Sequence, residues 1–287
     1  MDFVLPGEYV YRGMTCADVY AKNTSIDMMK EWTVRRSDVL IATPPKSGTT
    51  WMGEILRQMR AYHPESVGPD TSMLLSYVEL NVPTPDTPTA LEIQDQLISP
   101  RFIKTHLPYE FMKEAVEREG LKVVVVLREP KDTLTSYYYH YCNLFSFPGD
   151  FHQFFELVRQ DRLLGGNIFK MSRDWWQARH LPNVLVVKYE ELKKDAAHVV
   201  RRIGEFLEIP LDAEAVNKIV QQCDMNTMKK TLLSMNPGDP KLVKIAEKFF
   251  RKGIVGDWKN HMTQDEVDFV DECVRKYYDP VGLDFNV

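Results

Sequence analysis

Residues 39–51 read Val39-Leu40-Ile41-Ala42-Thr43-Pro44-Pro45-Lys46-Ser47-Gly48-Thr49-Thr50-Trp51. The leading apolar residues have the unbroken pattern of a strand covered on both faces. After the loop a helical pattern begins, with Trp51, Ile55, Leu56 and Met59 on one stripe. A strand that runs through a Lys/Ser/Gly/Thr loop into a helix start makes an anion cradle. The first backbone N–H groups of the helix lack intrahelical partners, and the helix dipole adds positive potential. The stretch therefore predicts a phosphate-bearing ligand, held by Lys46, Ser47, Gly48, Thr49 and Thr50 at the carboxyl end of a strand.

The order within the loop narrows that ligand. In the nucleotide-hydrolase loop the lysine follows a second glycine, as G-x-x-x-x-G-K-[ST]. Here Lys46 stands before Gly48, and no glycine precedes it in the loop. An ordinary ATP or GTP loop is a poor fit. The order Thr-x-Pro-Lys-Ser-Gly-Thr-Thr-Trp over 43–51 resembles the phosphate-binding loop of the cytosolic sulfotransferases. These enzymes use 3′-phosphoadenosine-5′-phosphosulfate (PAPS) and release adenosine 3′,5′-bisphosphate (PAP). The resemblance implies that the loop holds the 5′-phosphosulfate half of PAPS, with Lys46 aimed at the leaving oxygen.

Bulk properties set bounds. A chain of 287 residues can form one large α/β domain. No boundary is visible, so a single domain over 1–287 is expected, with its family core at about 35–265. The net charge of −5 excludes a general affinity for nucleic acid. Cys16, Cys142, Cys223 and Cys273 stand far apart without zinc spacing. They read as reduced thiols, and no metal site is expected. Asp2, Glu8 and the absence of a long apolar start argue against a signal peptide. No segment reaches the roughly 18 apolar residues of a membrane span. A cytoplasmic protein without membrane contact is the expectation.

Apolar runs at 38–43, 101–104, 122–127 and 183–188 predict buried parallel strands. Helical patterns alternate with them. Phe154, Phe155, Leu157 and Val158 start one element that extends toward Trp175-Trp176. Leu192–Leu207, Ala213–Gln222 and Gln264–Tyr277 are others. The fold class is α/β: a central parallel sheet flanked by helices, with ligands beyond the carboxyl ends of the strands. Residues 62–72, 81–90 and 234–242 read as loops.

The second strand ends in Lys104-Thr105-His106-Leu107-Pro108. On extended backbone Lys104 and His106 point to the same side. Histidine at a strand end suits a general base near neutral pH, and a neighbouring cation balances charge on a transferring group. The third strand ends in Arg128-Glu129-Pro130-Lys131-Asp132, followed by Ser136-Tyr137-Tyr138. Pro130 fits a first helical position. Arg128 and Ser136 then offer a guanidinium and a hydroxyl to a second phosphate. Near the C-terminus stands Arg251-Lys252-Gly253-Ile254-Val255-Gly256-Asp257-Trp258-Lys259. Charge beside a glycine with open N–H groups suits a dianionic phosphate.

All three strings match the family in order. By that resemblance His106 is the catalytic base and Lys104 stabilises the transferring sulfonyl group. Arg128, Ser136, Arg251, Lys252 and Gly253 hold the 3′-phosphate, and Ser136 restrains Lys46. Trp51 and Tyr189 line the adenine. Cys223-Asp224-Met225 departs from the Thr-Ser-Phe of many relatives. Met225 replaces the aromatic there as a soft contact, next to Cys223. The family dimer motif reads Lys259, Thr263, Gln264 and Asp268 here, and Gln264 in place of Val weakens a homodimer by that route.

The implied reaction moves the sulfonyl group from PAPS to a hydroxyl, or an amine, of a small and partly lipophilic acceptor: a phenol, sterol or other alcohol. Tyr137, Tyr138, Tyr139, Tyr141, Phe145 and Phe147 could wall its pocket, although any one of them taken singly reads as core. His140 falls where relatives often carry Phe and makes the pocket more polar. Two alternatives stay open: a PAPS-dependent dehydratase on the same fold, and a kinase-like or non-catalytic nucleotide-binding protein.

Overall fold

In the computed structural model, residues 3–18, 32–66, 77–79, 90–234, 243 and 252–286 are described. The strands are β1 (Tyr9–Tyr11), β2 (Met14–Cys16), β3 (Val39–Ala42), β4 (Phe102–Thr105), β5 (Lys122–Leu127) and β6 (Val184–Lys188). The α-helices are α1 (Thr49–Arg60), α2 (Ala90–Gln96), α3 (Tyr109–Glu117), α4 (Pro130–Leu144), α5 (Phe151–Arg159) and α6 (Ile168–Gln177). They continue as α7 (Tyr189–Lys194), α8 (Ala196–Leu207), α9 (Ala213–Gln222), α10 (Met225–Ser234) and α11 (Gln264–Tyr277).

The expected strands form one parallel sheet in the order β4-β3-β5-β6. Alternation along each strand divides its residues between two cores. Leu40, Ala42, Val123 and Val125 face the layer built by α3, α4, α5, α6 and α11. Val39, Ile41, Val124 and Val126 face α1, α8 and α9. Burial on both faces is why these strands are continuous apolar runs rather than alternating ones. The antiparallel hairpin β1-β2 stands apart from that sheet.

From β3 the chain leaves to β4 on one side, and β5 lies on the other. That reversal opens a crevice at the carboxyl ends of β3 and β5, where α/β sheets bind ligands. At the opposite end a buried pair fixes the register. Arg101 Nε and Nη2 donate to the Asp38 carboxylate, with Nε–Oδ1 at 2.8 Å and both side chains sealed from solvent. Each stands immediately before a strand, so the bidentate contact locks the starts of β3 and β4 together.

Three expectations are corrected. The element begun by Phe154 does not run through to Trp176. It stops at Arg159, and a new helix starts at Ile168 after Gly165 and Gly166, both with φ near +82. Leu192–Leu207 is two helices, broken at Asp195, whose carboxylate caps α8 by accepting the His198 N–H at 2.9 Å. Residues 90 and 234, expected in loops, belong to helices α2 and α10. Most of the other expected loop residues, 67–72, 81–89 and 235–242, lie outside the described residues. Among the described residues, no helix is long and apolar enough to cross a membrane.

Candidate active site

The loop after β3 starts at Thr43, whose hydroxyl lies 2.5 Å from that of Thr49, the first residue of α1. This contact closes the loop across its base. Gly48 has φ +117, and a Cβ there would lie 3.1 Å from Tyr189 Cδ2 and 3.5 Å from Val126 Cγ1. Glycine is what lets α1 begin against Tyr189. The helix starts with no side-chain cap and no acidic residue in its first turn. Its leading N–H groups therefore remain available to an anion. Lys46 sits in the same loop with φ +69.

His106 follows β4, one strand over. Its Nδ1 is 2.8 Å from the Thr43 carbonyl oxygen and 3.2 Å from the Thr43 hydroxyl. The carbonyl can only accept, so Nδ1 carries the proton and Nε2 keeps its lone pair. Burial, and to a lesser degree the Lys104 and Lys46 charges, push the imidazole down to about 4; the Thr43 bond opposes them. Lys104 is 4% exposed, and burial lowers its ammonium to about 8 against the pull of Glu54. Lys104 Nζ and the His106 ring lie 5.3 and 5.0 Å from the Tyr77 ring centre, so the two side chains do share a side.

Arg128 leaves the end of β5 with its guanidinium carbon 4.4 Å from the centre of the Tyr189 ring. Nη1 and Nη2 make long bonds to the carbonyls of Lys46 (3.3 Å) and Ile254 (3.4 Å). Its buried Nε has no partner among the described residues. Residues 252–258 are clamped onto the start of α4 by Asp132, which accepts the N–H groups of Gly256 (2.6 Å) and Trp258 (3.2 Å). Gly253 lies against Met225 and Tyr189: a Cβ there would be 2.9 Å from Met225 Sδ and 3.8 Å from the Tyr189 hydroxyl. Thus β3, β5, α7, α10 and the C-terminal segment converge on one cleft.

The sulfotransferase domain family matches residues 36–282. The chain belongs to the sulfotransferase family. Sulfotransferase 1A1 of Rattus norvegicus is 31% identical over 268 residues, covering 92% of this chain and 91% of its own. The crystal structure of mouse sulfotransferase SULT7A1 complexed with PAP superposes with TM-score 0.78 at 26% identity, over 96% of this chain and 97% of its own. A retinol dehydratase structure shares the fold, with TM-score 0.79 at 20% identity, over 96% of this chain and 90% of its own.

In this sulfotransferase the described residues fit a nucleotide carrying two separate phosphate groups. The orphaned Arg128 Nε, the uncapped α1 start and the two glycine positions, 48 and 253, supply unused donors and close approach in one cleft. Trp51 is half-buried, edge-on to Tyr189 at 5.6 Å, and Lys193 Nζ lies 5.7 Å from its ring. Cys223 is buried and, with Trp51, lines a groove beside α9; burial raises its thiol. Ser136 is half-buried on α4. Arg251 lies outside the described residues, whereas Lys252 pairs with Asp257 at 2.8 Å.

The aromatic run after Ser136 is mostly core rather than pocket wall. Tyr137 donates to the Leu164 carbonyl at 2.6 Å, Tyr141 accepts the Leu164 N–H at 2.7 Å, and Phe147 is buried. His140 packs between Tyr137 and Phe145, and burial, with Lys46 and His106 nearby, keeps it neutral. Sequence reasoning missed Thr43, Tyr77 and Glu79, and gave Asp132 and Asp257 no role. Glu79 carries no local signal, because its partners lie far along the chain.

Proposed function

We propose that this sulfotransferase transfers the sulfonyl group of PAPS to a hydroxyl of a small acceptor, with His106 as the base. The observation that carries the assignment is the Nδ1–Thr43 bond, which leaves His106 Nε2 unprotonated beside the phosphate loop. PAPS supplies an activated sulfonyl group and leaves as PAP. His106 Nε2 takes the acceptor proton as the oxygen attacks. Lys46 and the open N–H groups at the start of α1 neutralise charge growing on the leaving phosphate oxygen. Lys104 balances the sulfonyl oxygens, and Ser136 holds Lys46. Arg128, Ser136, Lys252 and Gly253 receive the 3′-phosphate; Arg251 belongs to the same assignment. Trp51, Tyr189, Met225 and Cys223 bound the adenine.

The acceptor is a phenol, sterol, other alcohol or amine, with His140 favouring one that carries a second polar group. The chain works in the cytoplasm without metal. Self-association through residues 259–268 is part of the same reading. Gln264 in place of Val weakens its apolar centre, and Gln264 Nε2 donates within the chain to Asp268 at 2.8 Å. A transfer screen with labelled PAPS across phenols, sterols, aliphatic alcohols and amines tests the acceptor reading. Label appearing on none of these classes sinks it.

A further inference from the structure

β4 is an edge strand, and residues 77–79 lie along its outer edge. Tyr77 bridges to Lys104, and the Val78 N–H donates to the Lys104 carbonyl at 3.0 Å. This brings Glu79 to the point where β4 ends. Glu79 is 0% exposed. Its Oε1 accepts the backbone N–H of His106 at 2.7 Å, and its Oε2 accepts the Thr105 hydroxyl at 3.0 Å. Thr105 Oγ1 in turn accepts the Leu107 N–H at 3.0 Å. Three successive residues, the last of the strand and the two after it, therefore hang on one carboxylate, Leu107 through the Thr105 hydroxyl.

A buried carboxyl is costly to keep. Burial raises Glu79 to about 7, opposed by its bonds to His106 and Thr105. Asp38 shows the contrast: it is equally sealed but has the Arg101 guanidinium across it. What Glu79 holds is the backbone that carries the base. Thr43 grips the imidazole from β3 at Nδ1, and Glu79 grips the main chain from the opposite edge. One anchor alone leaves the ring free to pivot about the other.

We infer that Glu79 is a positioning residue of the reaction, fixing the main chain of His106 so that Nε2 stays aimed at the acceptor proton. The inference rests on His106 being the base. Misplacing a reacting group by about 1 Å can cost about 10²-fold in rate. Tyr77, two residues away, is held against Lys104 and His106 by the same segment.

Two substitutions separate reach from charge. Glutamine in E79Q keeps the reach: its amide oxygen accepts the His106 N–H and its amide donates to Thr105. Aspartate in E79D keeps the charge but is one methylene short. With PAPS and a working acceptor, E79Q is expected to stay within about threefold of wild-type kcat. E79D is expected to lose about 10- to 100-fold in kcat, with PAP affinity within about twofold. Its acid limb of kcat/KM should also move to higher pH, as water reaches an imidazole that faces Lys104 and Lys46.

Wild-type turnover in E79D overturns the inference. So does a loss in E79Q as deep as in E79D, or a parallel loss of PAP affinity, which would mark a packing role. If E79D does not fold, E79Q decides: loss of turnover with PAP binding intact refutes positioning by reach, and retained turnover with an unmoved acid limb supports it. H106A run alongside separates the two readings. An active H106A removes the base itself, whereas an inactive H106A beside a fully active E79D removes only the role of Glu79.

Discussion

Thr43 and His106 are joined by a bond from imidazole Nδ1 to a backbone carbonyl, at 2.8 Å. Through its hydroxyl, Thr43 also closes the phosphate loop onto Thr49. One residue thus sets the tautomer of the candidate base and the shape of the anion cradle together. Because the tie to the loop runs through Thr43, His106→Ala is expected to keep PAP affinity within about twofold. Turnover should fall by about 10²-fold or more. Calorimetric PAP binding and single-turnover transfer from PAPS check both halves, and full turnover would exclude His106 as the base.

The pH profile expected of the proposed reaction follows from two buried groups. His106 acts neutral, and its value near 4 keeps it neutral as pH falls until that value is approached. Lys104 acts charged, and its value near 8 means the cation is lost as pH rises through about 8. The profile of kcat/KM for PAPS, which reports the free enzyme, should rise near 4, hold a plateau and fall near 8. In kcat both limbs should lie higher, because a bound anion favours the protonated forms. Lys104→Met should lower the rate and abolish the alkaline limb. An alkaline limb that survives in Lys104→Met would detach it from Lys104.

Arg128 brings to the cleft two long carbonyl bonds and an Nε without a partner among the described residues. Arg128→Ala should weaken PAP binding by about 1.5–3 kcal/mol, the range for a bond to a charged group. The loss should be much smaller for adenosine 5′-monophosphate, which lacks the 3′-phosphate. Equal losses for the two nucleotides would move Arg128 away from that phosphate.

Asp132 is 1% exposed and takes two backbone donors of the C-terminal segment. Asp132→Ala leaves both N–H groups without their acceptor, at a cost of about 1–3 kcal/mol each where they stay buried. Faster hydrogen exchange at Gly256 and Trp258, a lower Tm and weaker PAP binding are expected together. Unchanged exchange at those amides would show that the clamp is held by other contacts.

Much of the fold is legible because its cause is local. Double-sided burial writes itself as unbroken Val/Leu/Ile, so 39–42 and 122–127 are found within a residue. Gln264–Tyr277 begins and ends as read, because Thr263 and Glu266 form a capping box at its start. Breaks are less visible: Asp195 inside an apolar helical pattern looks like a surface residue until its side chain is seen capping α8. The turn from β3 into α1 is legible because a glycine must stand where the helix begins against Tyr189. In the aromatic run Tyr137 and Tyr141 repeat at one helical turn and face inward to Leu164, as the core reading of each residue expects. Glu79 was illegible: it meets His106 across 27 residues, and a carboxylate that binds main chain demands nothing of the partner's identity.

On the proposed assignment of Lys252 to the 3′-phosphate, its pair with Asp257 gives nucleotide selection a competitive character. The Lys252 ammonium is paired with a carboxylate that is only 2% exposed. An incoming group must draw the ammonium away, while Asn260 Nδ2 still donates to Asp257 at 3.1 Å. A doubly charged phosphate can win that exchange, whereas a neutral ribose hydroxyl cannot. Discrimination against nucleotides lacking the 3′-phosphate then depends on a rival anion already in place as much as on the attraction of the site.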